Sequence, residues 1–172
     1  MSTVFDSLEE GCNYLREEIG KYCSLLTPPE DFSIVFHWGI GEKNVYDTVN
    51  RKITKDLVCA GVETRDLSVS AEDEAKIYEK LLEHGILSIG EDVTSENLTT
   101  DGNPVGIKPK ETYTVSVTVN GKSYLISGDE TARYYPDNTT AVDFLNFVDF
   151  MKDFACQTPE YQAMPQSEGG YR

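Results

Sequence analysis

A short β-hairpin is the most constrained element of this 172-residue sequence. Two runs of alternating apolar and polar residues, Tyr113–Val119 and Lys122–Ile126, flank the dipeptide Asn120-Gly121. Asn-Gly between alternating runs specifies a two-residue type I′ turn, because both central residues of that turn need a positive φ. The sequence therefore predicts an antiparallel hairpin that starts at the pair Val119 and Lys122, with one face in the core and the other mostly in water.

A second antiparallel unit is predicted at residues 32–69, where the apolar period changes to two. Ile34, Phe36 and Trp38 alternate with other residues, which is typical of a half-buried strand. The stretch GIGEKN, residues 39–44, then turns the chain into further strands. It lacks the third glycine of a dinucleotide fingerprint and the ending of a P-loop, and a strand follows it, so we interpret it as a hairpin turn rather than a phosphate site.

Two helices are predicted to cover one face of the resulting sheet. The first spans residues 71–84, with Ser70 as its N-cap and acidic residues in its first turn. The second spans residues 141–156, with Thr140 as its N-cap and a wide apolar stripe. A short strand is expected at residues 86–89. The sequence therefore predicts an α+β fold with an antiparallel sheet of five to seven strands.

The remaining segments complete the predicted domain organisation. Residues 1–28 are expected to form an amphipathic helix docked at an edge of the sheet, because their apolar residues recur every three or four positions. Residues 32–158 are expected to form a single domain, since a chain of this length buries one core. Within it, residues 90–111 lack periodicity and are expected to be disordered or partly ordered. Residues 159–172 form a C-terminal tail.

The charge balance limits the partners that this chain can have. Thirty acidic and fifteen basic residues give a formal net charge of -15, which would repel a phosphate backbone and argues against nucleic-acid binding. The surplus lies outside residues 32–70, where acidic and basic residues are equal in number. This region is therefore a candidate surface for contact with another protein. The alternative is that strands simply contain few acidic residues.

The sequence lacks the patterns that would indicate a membrane span, a signal peptide or a metal site. No apolar run approaches the ~20 residues needed to cross a bilayer, and the N-terminus has no signal-peptide pattern. We therefore expect a cytoplasmic protein without a membrane span, unless an export signal has been removed. No cofactor, zinc site or redox pair is predicted, and the cysteines are expected to be reduced; an oxidising compartment would allow three pairings. The cysteines are Cys12, Cys23, Cys59 and Cys156.

Catalytic signatures are sparse in this sequence. A general base needs a nucleophile within hydrogen-bond reach, and neither G-x-S-x-G nor a cysteine-histidine signature occurs. A hydrolase or transferase with a site at residues 37–59, using Asp56, His37 or Cys59, is one alternative hypothesis. Another is an acidic inhibitor or immunity-type protein that mimics nucleic acid and presents carboxylates to a basic partner.

Short motifs in the sequence resemble those of an uncharacterised family of small α+β proteins from Gram-positive bacteria. The resemblance covers residues 32–89 and 112–172 and implies a similar order of strands and helices. It brings no activity, cofactor or catalytic residue with it. The motifs are Asp47-Thr48, TKDLV at 54–58, Leu67-Ser68, IYEK at 77–80, PEY at 159–161, Met164-Pro165 and GGY at 169–171.

Five polar residues of these motifs form the predicted binding site. Thr54 and Asp56 are expected on one face of a strand, opposite Lys55, with Asp47 and Thr48 across the meander. One interpretation is a cross-strand network that fixes the register and contributes ~0.2–1 kcal/mol per pair. The other is a site for a ligand or partner. The preferred hypothesis is a non-enzymatic binding or protein-interaction domain; its partner and oligomeric state stay open.

Overall fold

A six-stranded antiparallel sheet forms the centre of the computed structural model, which describes residues 27–171. The strands are β1 (Ser33–Gly39), β2 (Asn44–Asp47), β3 (Lys52–Val58), β4 (Gly61–Asp66), β5 (Thr112–Val119) and β6 (Lys122–Asp129). They lie in the order β4-β3-β2-β1-β5-β6, so that a four-stranded meander and a hairpin meet where β1 pairs with β5. The predicted antiparallel sheet of five to seven strands is confirmed.

The β5–β6 hairpin has the predicted turn and register. Asn120 and Gly121 have φ values of 51° and 70°, and Val119 pairs with Lys122. The carboxylate of Asp31 accepts hydrogen bonds from the N–H groups of both turn residues, at 2.9 Å and 2.6 Å. The preference of Asn-Gly for a positive φ and the hydrogen bonds to Asp31 therefore define this turn together.

The glycines after Trp38 reverse the chain, as predicted. Gly39 and Gly41 have positive φ values of 97° and 69°, and Trp38 at the end of β1 pairs with Asn44 at the start of β2. A strand follows the turn, and no helix begins at Gly41. The segment is therefore a hairpin turn.

The helices of the described region are α1 (Ala71–Glu83), α2 (Ser95–Leu98), α3 (Thr139–Cys156) and α4 (Pro159–Gln162). Ser70 caps α1 in a complete capping box with Asp73, as its sequence predicts. The predicted cap of α3, Thr140, is wrong. The helix begins one residue before it, and the side chain of Asn138 accepts the hydrogen bond from Ala141 N–H at 3.0 Å.

The predicted strand at residues 86–89 is also wrong, because Ile86–Ser88 is a 3₁₀ turn. Gly85 adopts a left-handed backbone conformation, with a φ of 58°, and its carbonyl accepts a hydrogen bond from Ser88 N–H, so the chain coils directly after α1.

In the following segment, residues 90–111, Val93 pairs with β6: its N–H donates to the Ser127 carbonyl, and its carbonyl accepts from Asp129 N–H. The predicted N-terminal helix lies outside the described residues.

The core lies between one face of the sheet and the helices α1 and α3. The rings of Tyr46 and Phe154 meet edge to face at 6.0 Å, and those of Tyr113 and Phe144 lie 6.4 Å apart. Each large apolar side chain buried there contributes about 1.5–3 kcal/mol. None of the described helices is both long and apolar enough to cross a membrane. The main core residues are Ile34, Phe36, Trp38, Tyr46, Ile53, Ile77, Leu81, Tyr113, Val115, Phe144, Phe147, Val148 and Met151.

The other face of the sheet, called the open face below, carries the alternate residues of each strand. Strand pairing places Val35 opposite Asp47 and Ser116 on this face, and Thr54 opposite Thr64. This face carries hydroxyl and valine side chains together with the charged residues Asp47, Lys52, Asp56 and Asp66, in contrast to the aromatic core face.

Candidate functional site

Asp47 and Thr48 both stabilise the end of β2. The carboxylate of Asp47 accepts hydrogen bonds from the backbone and side-chain N–H groups of Asn50, at 2.9 Å and 2.7 Å. The hydroxyl of Thr48 accepts from Ile34 N–H at 2.9 Å and donates to the Ile34 carbonyl at 3.1 Å. Both side chains are therefore engaged in local structure at the β2–β3 turn.

Thr54 lies elsewhere on the open face and does not meet these two residues. The register pairs Thr54 with Val45 and places Lys52 opposite Asp47. The Thr54 hydroxyl lies 2.8 Å from that of Thr64 on β4. The five predicted residues therefore do not gather into one cluster, because the register of β2 and β3 separates them.

Lys55 points toward the core face, opposite Thr54 and Asp56, as predicted. It is only 7% exposed, and its Nζ lies 4.8 Å from the centroid of the Tyr161 ring. Tyr161 also stacks on Trp38 at 6.3 Å and donates a hydrogen bond to Asn44 Oδ1 at 3.3 Å. Burial, above all, raises the pKa of Tyr161. The ammonium group of Lys55 is thus held by a cation–π contact on a neutral phenol ring.

Asp56 is buried on the open face and accepts a hydrogen bond from Tyr171, in the C-terminal segment of the chain. Its carboxylate accepts hydrogen bonds from Val58 N–H at 2.9 Å and from the Tyr171 hydroxyl. Lys43 Nζ donates to the same hydroxyl at 2.7 Å, and this bond raises the pKa of Lys43. A buried carboxylate needs such donors, because leaving it unpaired costs several kcal/mol.

Residues 167–171, called the C-terminal strap below, cover the end of β3. The Ser167 hydroxyl donates to the Asp56 carbonyl at 2.6 Å, and Glu168 forms a parallel bridge with Val58. At Gly169 a Cβ would lie 2.5 Å from the Sγ of Cys59, and φ is 97°, so only glycine fits. The predicted tail is therefore an ordered partner of β3 in this region.

Asn44, which no sequence pattern singled out, links three elements here. Its side chain accepts from Asp56 N–H at 2.9 Å and from Tyr161, and it donates to the Trp38 carbonyl at 3.3 Å. The roles of Lys43 and Tyr171 were not predicted either. The signal available in the sequence was that the predicted resemblance rests on TKDLV, PEY and GGY together, and these three segments meet in space.

The three residues of the enzyme hypothesis form no hydrogen bonds with one another in the described part of the chain. No hydrogen bond links His37, Asp56 and Cys59 in residues 27–171, and Asp56 is engaged with Tyr171. Cys59 and Cys156 are free thiols, and burial raises the pKa of Cys156. The alternative of a hydrolase or transferase at residues 37–59 stays a prediction.

A shallow depression of about 350 Å³ lies in the open face where the meander meets the β5–β6 hairpin. Two exposed apolar side chains border it: Leu125, which is 71% exposed, and Val49, which is 60% exposed. None of its lining residues is charged. They are Ser33, Val35, Val49, Ser116, Val117, Thr118, Ser123, Tyr124 and Leu125.

Comparison with known proteins finds no relative of this chain. The chain matches no protein-family model, no curated protein and no solved structure. The resemblance to a Gram-positive family therefore stays a prediction from short motifs.

Proposed function

We propose that this protein is a non-enzymatic binding domain that contacts a protein partner through the depression in its open face. The observation that carries the proposal is the pair of exposed apolar side chains, Val49 and Leu125, on either side of a hydroxyl-lined surface. Protein contact sites combine exposed apolar side chains with neighbouring polar groups.

The charge distribution supports the same choice of surface and indicates the chemistry of the partner. The chain carries a formal charge of -15, yet the lining of the depression is uncharged. Of the charged residues on the open face of the meander, Lys52 and Asp66 pair with each other at 2.5 Å. The partner surface that fits is therefore an uncharged one, with apolar side chains for Val49 and Leu125 and polar groups for the serines and threonines.

Four of the five residues predicted from the motifs support this surface, while Lys55 lies on the core side of the sheet against Tyr161. Asp47 and Thr48 stabilise the turn that presents Val49, while Thr54 and Asp56 are satisfied by Thr64 and Tyr171. Their role is to hold the meander in register.

Site-specific photo-crosslinking in cells tests the proposal. A crosslinking amino acid at Val49 should capture one protein, whose purified form then binds the full chain. Leu125→Glu should weaken that binding at least tenfold, because it places a charge in an apolar contact. The matched control is Leu82, an exposed leucine on α1: a crosslinker there should not capture the protein, and Leu82→Glu should leave binding unchanged.

Four outcomes would contradict the proposal. Capture of the same protein from both positions would indicate non-specific contact. A crosslink from Val49 to residues 1–26 would assign the face to the chain itself, and a crosslink to a second copy would assign it to self-association. Absence of any crosslinked product would also count against it.

A further inference from the structure

A second pocket, of about 380 Å³, lies on the core side of the sheet, away from the depression in the open face. It is enclosed by the first turn of α1, the C-terminal end of α3 and the start of α4. Its lining includes two carboxylates, Asp73 and Glu160, the ring of Phe154 and the phenol of Tyr46, and no lysine or arginine. The pocket is therefore lined by carboxylate, amide, hydroxyl and aromatic groups, without a cationic side chain.

The hydroxyl of Tyr46 is the first sign that a ligand belongs there. Tyr46 is 1% exposed and lines the pocket, yet within residues 27–171 its hydroxyl has no hydrogen-bond partner. The hydroxyl is the polar end of this otherwise buried side chain, and it faces the pocket, where a ligand can reach it. Burial, followed by the negative charges of Asp73, Glu74 and Glu160, raises the pKa of Tyr46. The phenol is thus neutral at physiological pH, and its oxygen is free to accept a hydrogen bond.

The carboxylate of Glu160 is the second, independent sign. Its Oε1 accepts a hydrogen bond from Ser68 N–H at 3.1 Å. Its Oε2 is buried and is the only buried side-chain oxygen or nitrogen in the described residues without a partner. A buried carboxylate oxygen without a donor is costly, unless a bound group supplies one.

The electrostatics of the pocket favour a cation as that group. The Asp73 carboxylate accepts a hydrogen bond from Ser70 N–H in the capping box, and it still contributes its negative charge to the pocket. Asp73 and Glu74 outweigh the partial positive charge at the start of α1, and the C-terminal end of α3 adds partial negative charge. The ring of Phe154 offers a further favourable surface for a cation.

We propose that this pocket binds an alkylammonium group, which donates hydrogen bonds to Glu160 Oε2 and to the Tyr46 hydroxyl oxygen. A primary ammonium has three N–H donors and no acceptor, so one such group can donate both to the unpaired carboxylate oxygen and to the phenol oxygen. Its apolar chain packs beside Phe154. The ammonium comes from a free amine or from a lysine side chain, which share this chemistry. The site is independent of the proposed protein contact on the open face.

Titration of the full chain with butylammonium, followed by NMR, tests the proposal. We expect saturable shifts in signals from Tyr46 and Glu160, with 1-butanol producing none. Glu160→Gln should raise the dissociation constant at least tenfold, while its amide oxygen can still accept from Ser68 N–H. Tyr46→Phe should raise it about tenfold, as expected for one hydrogen bond from a charged donor. Stronger binding of 1,4-diaminobutane or of a blocked lysine then identifies the source.

The matched control is Glu91→Gln, which removes one exposed carboxylate from another part of the surface. An equal loss of affinity in Glu91→Gln and Glu160→Gln would show only general attraction to an acidic protein and would overturn the proposal. Equal binding of 1-butanol and butylammonium would show apolar filling and would also overturn it. A crystal soaked with the amine in which only water occupies the pocket would have the same consequence.

Discussion

Tyr171 donates a hydrogen bond to the carboxylate of Asp56, 115 residues earlier in the chain. The contact joins the C-terminal strap to the third strand of the sheet, and Lys43 donates to the same tyrosine hydroxyl. Asp56 is one of the five residues that the sequence motifs single out. Its partner shows that this buried carboxylate holds the end of the chain in place.

Loss of the Tyr171 hydroxyl should destabilise the protein. Tyr171→Phe removes a donor to a buried carboxylate, so we expect the free energy of unfolding to fall by about 1–2 kcal/mol. Urea denaturation measures this change. Tyr134→Phe is the matched control, because Tyr134 is largely exposed and its hydroxyl has no partner in the described residues. Equal stability of the two variants would show that the strap is not held by this bond.

Asn44→Ala should be more costly, because Asn44 links β1, β3 and α4. The substitution leaves the N–H of Asp56 without its acceptor and removes the bonds to Tyr161 and Trp38. We expect a loss of about 2–3 kcal/mol in the free energy of unfolding. Asn146→Ala on the exposed side of α3 should cost nothing or stabilise slightly, since alanine is the better helix former. A loss below that of Tyr171→Phe would contradict the assigned role.

Gly128→Ala tests the packing of α3 on β6. A Cβ at this position would lie 2.4 Å from the ring of Phe144. Because this overpacks the core, we expect a loss of about 2–3 kcal/mol, measured as a lower urea midpoint. At Gly90 a Cβ has open space and φ is not positive. Gly90→Ala should therefore leave stability unchanged or slightly higher; similar losses in both variants would refute the packing argument.

The pH dependence of stability should report on Asp31. The N–H of Gly121, and secondarily that of Asn120, hold the pKa of Asp31 below its ordinary value of 3.8. A lowered pKa in the folded state stabilises the protein above the unfolded-state pKa, and this contribution is lost as the pH falls through the folded-state pKa. The stability difference between the wild type and Asp31→Asn should therefore be full at pH 6 and shrink below 3.8.

The matched variant for this experiment is Asp137→Asn, which removes an exposed carboxylate with no hydrogen-bond partner in the described residues. Denaturation of all three proteins between about pH 2.5 and pH 6 gives the comparison. A difference between the wild type and Asp31→Asn that stays constant over this range would show that the turn does not bind the ionised carboxylate.

Local elements of the fold could be predicted from the sequence, because their determinants lie within a few residues. The Asn120-Gly121 turn and the capping box at Ser70 are examples, and both are confirmed. The errors arose where two local choices are close in free energy. Asn138 and Thr140 are both competent caps, and the four residues 86–89 are too few for their period to distinguish a strand from a 3₁₀ turn.

The sequence by itself determined the six strands, the turns between them and the two long helices α1 and α3, because backbone preferences and the apolar period act over short distances along the chain. Only the tertiary structure decided which side chains meet: Lys55 with Tyr161, Asp56 with Tyr171, and Glu160 with the pocket beside Tyr46. These contacts depend on the order of strands and on where the last two helices pack. No local pattern encodes that order, since it follows from burying all the apolar faces at once.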